Sequence, residues 1–100
     1  MAKSIIWSKE ASEDLIQILD YWNERNKSTE FSIKLYNQIN ETIALVIHYP
    51  VLGRKTDFGD IKNIRAGVYL IFFRDLVDCI RIIAIWDNRQ HPKKLIDKLK

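Results

Sequence analysis

The sequence predicts a two-layer α+β domain in which a helical hairpin packs on an antiparallel sheet, in the order β-α-α-β-β-β with a short C-terminal helical turn. Two long stretches repeat their apolar residues at the 3.6-residue period of a helix. Three later stretches are dense in β-branched and aromatic residues, as strands are. Only a short polar link around Asn26, Lys27 and Ser28 divides the helical stretches, so they must fold back on each other as an antiparallel pair.

Lys3 to Trp7 reads as a short strand, and Ser8 follows it as an N-cap whose hydroxyl accepts from free amides of the first helical turn. Glu10, Glu13 and Asp14 then sit in the first turns, where they suit the positive end of the helix dipole. Ala11, Leu15, Ile18, Leu19 and Trp22 make one apolar stripe, which places a helix over Lys9 to Arg25. Ser28 or Thr29 caps a second helix, in which Phe31, Leu35, Ile39, Ile43, Val46 and Ile47 hold one face apolar until Pro50 closes it. Ile16, Tyr21, Ile33 and Leu45 fall off the main stripes, either between the helices or on a surface that a partner covers.

Val51 to Asp60 is a loop with the basic pair Arg54 and Lys55, and it has room for a very short strand. Ile61 to Ala66, Val68 to Arg74 and Asp78 to Trp86 then form a three-stranded meander, divided by Gly67 and by a turn near Asp75. In the last strand Arg81, Ile83 and Ile85 alternate with Ile80, Ile82, Ala84 and Trp86. Both faces are largely apolar, so this strand is central and the helices cover at least one side of it. Pro92 opens a final helical segment, Lys93 to Leu99, with Leu95, Ile96 and Leu99 on its apolar side.

With 47% hydrophobic residues, three Gly and two Pro, residues 1–100 suffice for one core and one domain. Cys79 is the only cysteine, so no internal disulfide is available; a buried thiol in a reducing cytoplasm is expected. The first apolar run, Ile5 to Trp7, is far shorter than a secretion signal, and no stretch approaches the roughly 18 apolar residues of a membrane span, so a soluble protein without a membrane partner is expected. Net charge is +3, unevenly distributed: residues 1–50 carry five basic against seven acidic side chains, and residues 51–100 eleven against six. A basic half on so small a domain fits contact with nucleic acid or with an acidic protein.

His48 and His91 lie far apart and the single Cys has no neighbour at ligand spacing, so no metal is expected; phosphate-cradling glycine loops are also missing, and no cofactor is expected. His48, near the end of the second helix, reads as a capping or partly buried residue. Lys62, Arg65, Arg74, Arg81 and Arg89 stand in or just after adjacent strands, and a guanidinium donates two parallel hydrogen bonds to a phosphate or carboxylate. If these groups converge, RNA could be bound and cleaved, with His91 or a lysine drawing the 2′-hydroxyl proton and arginines stabilising the phosphate. If they spread out, the same charges bind an acidic partner, or pair with Asp75, Asp78 or Asp87.

Ile6-Trp7-Ser8-Lys9-Glu10-Ala11, then Asp14-Leu15 and Ile18-Leu19-Asp20-Tyr21-Trp22, resemble the start of RelE/ParE-type toxins. Tyr49 to Arg54, Ile64-Arg65, Tyr69 to Phe72 and the closing Ile82 to Pro92 continue the resemblance in the family's order over nearly the whole chain. It implies a RelE-like fold whose first strand lies beside the last, and the toxin half of a type II toxin–antitoxin module, partnered by an antitoxin that wraps and silences it. RelE-like members cleave mRNA in the ribosome with basic residues in the middle strands and an aromatic or histidine acid/base near the C-terminus; ParE-like members poison DNA gyrase without those groups. Arg65 and Arg89 fall on basic positions of the ribonuclease pattern, and His91 lies where some relatives use a histidine. Asn63, Leu70 and Leu95 stand where a lysine, an arginine and a tyrosine are expected. These departures favour a ParE-like binder, for which the basic residues Arg54, Lys55, Lys62, Arg74 and Arg81 are the expected binding residues; a ribosome-dependent ribonuclease using Arg65, Arg89 and His91 is the alternative.

Overall fold

In the computed structural model, which describes residues 3–90 and 92–99, the chain runs through β1 (Ser4–Trp7), α1 (Lys9–Asn26), α2 (Glu30–His48), β2 (Arg54–Lys55), β3 (Ile61–Ala66), β4 (Tyr69–Asp75), β5 (Cys79–Asp87) and α3 (Pro92–Leu99). A single 3-10 turn, Pro50–Leu52, links α2 to β2. Ser8 caps α1 as its sequence predicts, its hydroxyl accepting from the Ala11 amide at 3.0 Å. At the second cap the hydroxyl that bonds is that of Ser28, which accepts from the Glu30 amide at 3.2 Å.

The five strands lie in the order β1-β5-β4-β3-β2. β2 to β5 pair antiparallel, but β1 pairs parallel with β5, so the expected antiparallel sheet is in fact mixed. The reason is topological: the connection from β1 to β5 contains the helix hairpin and the strands β2 to β4, ample length for a crossover that returns in the same direction. β5 is interior, flanked by β1 and β4, as its two apolar faces require.

The hairpin covers one face of the sheet. Ala11, Leu35, Ile39, Ile43 and Val46 from the helices meet Ile71, Phe73, Ile80, Ile82 and Ile85 from β4 and β5 in the main core. Burying an aliphatic side chain of this size contributes about 1.5–3 kcal/mol. Phe31 departs from the predicted stripe: it stays exposed and packs its ring against Trp22. Ile16, Tyr21, Ile33 and Leu45 are all exposed.

A bulge changes the phase of β5. Phe72 pairs with Ala84 and Phe73 with Ile82, leaving Ile83 as an extra residue without a partner. Before it, Ile80 and Ile82 point toward the helices; after it, Ile85 does, while Ala84 and Trp86 turn to the opposite face. The uninterrupted alternation expected for this strand is thus broken once. On that opposite face Ile61, Phe72, Ala84 and Trp86 form a second apolar cluster, covered by Phe58 and by Leu95 and Leu99 of α3. Ile96 remains exposed.

β1 ends at Trp7, yet β5 continues to Asp87, so several β5 backbone groups lose their strand neighbour. The start of α1 replaces it. The Ser8 amide donates to the Ile82 carbonyl at 3.0 Å and the Ser8 hydroxyl to the Ile83 carbonyl at 3.1 Å. Asp14, buried within α1, accepts the Ile85 amide at 3.1 Å through Oδ2 and pairs through Oδ1 with Lys98 of α3. One carboxylate therefore fastens α1, β5 and α3 together and leaves none of these buried groups unsatisfied.

Candidate functional site

Because the bulge shifts the phase of β5, Asp87 emerges on the helix side directly opposite Tyr69. Its Oδ1 accepts from the Arg89 amide at 2.9 Å and from Arg89 Nε at 3.0 Å, and its Oδ2 from Arg89 Nη2 at 2.8 Å. This charge-assisted fork holds the Asp87 carboxyl below its ordinary range and raises the Arg89 guanidinium in turn. It also places Arg89 5.8 Å from the centroid of the Trp22 ring, with Arg25 at 5.9 Å from the same ring. Trp22 Nε1 donates to the Tyr69 hydroxyl at 2.7 Å. Burial pushes the Tyr69 phenol up, the Trp22 hydrogen bond pulls it down, and the Asp87 charge adds to the rise. Tyr21 meets the Trp22 ring edge-on.

Beside this cluster lies a cleft of about 370 Å³ between α1, the end of β5 and α3, lined among others by Asp14, Gln17, Tyr69, Asp87, Arg89 and Lys98. Its two carboxylates are already engaged, Asp14 by Lys98 and Asp87 by Arg89. Among the described residues its lining holds no unengaged carboxylate. Among the described residues no group of three or more His, Cys, Asp or Glu could hold a metal ion.

The strand register sorts the other predicted residues. Ile64 and Ala66 of β3 face the helices, so Arg65 between them points away, opposite Leu70; its Nε donates to the Gly67 carbonyl at 2.7 Å. Arg74 and Arg81 stand directly opposite each other on that same outer face, beside Ile61 and Ile6. Arg54 joins them through its pairing with Asn63. Lys55 and Lys62 face each other on the opposite side of the β2–β3 edge. Arg74 pairs with Asp60 at 3.2 Å. The basic set is thus split: Arg54, Arg65, Arg74 and Arg81 share the outer face, whereas Arg89 stacks on Trp22 on the helix side. His91 lies outside the described residues. His48 is exposed at the end of α2, neither capping nor partly buried.

Sequence reading places Trp22 in the core stripe and Asp14 near the helix dipole, and misses what both do at the cleft. For Asp14 a signal exists: it stands three residues after Ala11 and four before Ile18, on the face that turns inward.

A family model described as the ParE toxin of the type II toxin–antitoxin system parDE matches residues 5–92. The chain belongs to this family of ParE toxins. It is accordingly the toxin component of a type II toxin–antitoxin system. A solved structure titled "Chromosomal ParDE TA system from P. aeruginosa" shares the fold of this ParE-family toxin, with a TM-score of 0.73 and 20% identity over 84% of this chain and 94% of that one. No curated protein matches the chain. No helix among the described residues is long and apolar enough to cross a membrane.

Proposed function

We propose that this ParE-family toxin arrests growth by binding an essential target of the DNA gyrase type, and that a cognate antitoxin neutralises it in a toxin–antitoxin hetero-oligomer. Residues 1–100 act as one toxin domain in the cytoplasm, without a cofactor. The observation that carries this reading is the divergence of Arg65 and Arg89. One points away from the helices at the end of β3, and the other is clamped to Asp87 over Trp22. Cleavage of a phosphodiester needs its proton-transfer and charge-stabilising groups within reach of a single phosphate. Asn63, Leu70 and Leu95 bring no ionisable group to the three further positions at which the ribonuclease pattern carries one. Each such loss typically removes ~10²-fold or more in rate. A binder needs only an exposed basic and apolar surface, and Arg54, Lys55, Lys62, Arg74 and Arg81 supply its charge.

Expression of the chain without its antitoxin is expected to stop growth with DNA-damage signalling while amino-acid incorporation continues. Arg89→Ala is expected to weaken the arrest by releasing Asp87 and the Trp22 cluster. Loss of incorporation ahead of any damage signal would overturn the reading in favour of mRNA cleavage.

A further inference from the structure

We infer that the sheet face opposite the helical hairpin docks on the phosphate backbone of duplex DNA. The inference deepens the proposed function and rests on it in one respect, since a gyrase-type target is met on DNA. Arg54, Arg65, Arg74 and Arg81 are all exposed on this face with α3 in place. Arg74 and Arg81 are cross-strand neighbours, and like charges directly opposed destabilise a sheet. Asp60 relieves Arg74 alone. Arg81 and Arg54 have no partner among the described residues, and Arg65 commits only Nε, to the Gly67 carbonyl. An anion between Arg74 and Arg81 turns that repulsion into attraction.

Strands stand about 4.8 Å apart and same-face residues about 6.8 Å along each strand, so the four Cα positions span roughly 15 Å. Duplex DNA presents one negative charge per about 1.7 Å of its axis, dense enough to meet every guanidinium of such a patch. The face does not suit single-stranded nucleic acid, which binds by stacking bases on exposed rings. Its own rings, Phe72 and Trp86, are buried beneath Leu95 and Leu99. Nor does it suit an acidic protein, whose interface needs a desolvated apolar centre. Here α3 already covers that centre, leaving Ile6 exposed at the margin.

The test is fluorescence anisotropy of the purified chain on a labelled ~20-bp duplex between about 50 and 200 mM KCl. With four phosphates engaged, affinity should fall about 150-fold across that range, following a slope of about −0.9 per phosphate. The double variant Arg54→Ala/Arg81→Ala should reduce the fall to about 12-fold, whereas Lys9→Ala/Lys34→Ala, which removes equal charge from the helix side, should leave it near 150-fold. The inference is overturned by absence of duplex binding at the lowest salt, by equal effects of the two double variants, or by tighter binding to single-stranded RNA or to a polyglutamate peptide. Gyrase poisoning by a chain that binds no DNA would sink this inference and leave the proposed function standing. Salt-dependent duplex binding by a chain that arrests translation would support it and sink the proposed function.

Discussion

Asp14 accepts the Ile85 amide with one carboxylate oxygen and the Lys98 ammonium with the other, at a position where most helices bury an aliphatic group. Asp14→Ala strands a buried amide donor and releases α3, and should lower stability by about 2–3 kcal/mol in urea unfolding. Asp14→Asn keeps an acceptor for the amide and should lose less. Asp87 offers a separate measurement. Arg89 favours its ionised form in the folded chain and lowers its pKa, so the pair stabilises the fold above the ordinary carboxyl value of 3.8, and that contribution fades as pH falls below it. NMR titration should place the Asp87 midpoint below 3.8 and move it back up in Arg89→Ala. A midpoint unchanged by the substitution would refute the pairing. At this scale the sequence was partly legible. The basic residues are visible as such, but Trp22 reads only as part of a core stripe, because the hydrogen bond that joins it to Tyr69 spans 47 residues.

The helices and strands were legible to within a few residues, because 3.6- and 2-residue periods are local properties of the chain. The pairing of β1 with β5 is not local: that the two strands lie side by side was expected only from the family resemblance, and their parallel direction was not expected. The two-residue strand β2 carries its own constraint. Gly53 precedes it with an ordinary negative φ, but a Cβ there would lie 2.5 Å from Phe73 Cζ and 3.3 Å from Lys62 Cβ. Phe73 is fully buried and cannot move aside cheaply. Gly53→Ala should therefore lower stability by about 1–3 kcal/mol through overpacking, measurable as a lower urea midpoint with an unchanged slope. A neutral outcome would mean that the loop before β2 shifts freely away from the core.

Across the whole molecule, function depends on how the sheet divides its charge. The hairpin side receives the apolar stripes, the Trp22 cluster and Arg89; the other side receives four arginines around a short helix. Composition revealed the basic half, but which basic residues share a face follows from register, and register depended on a bulge within an apolar run. Ile82, Ile83, Ala84 and Ile85 contain no polar residue to mark where the alternation slips. That slip makes β5 a counting device. Its chemistry tolerates exchange of one aliphatic for another, but its pairing is fixed, since Ile83 taking a regular place in the ladder would send Trp86 toward the helices and turn Asp87 out to the arginine side. The cleft is thus encoded in where the strand skips a pairing as much as in the identity of its residues.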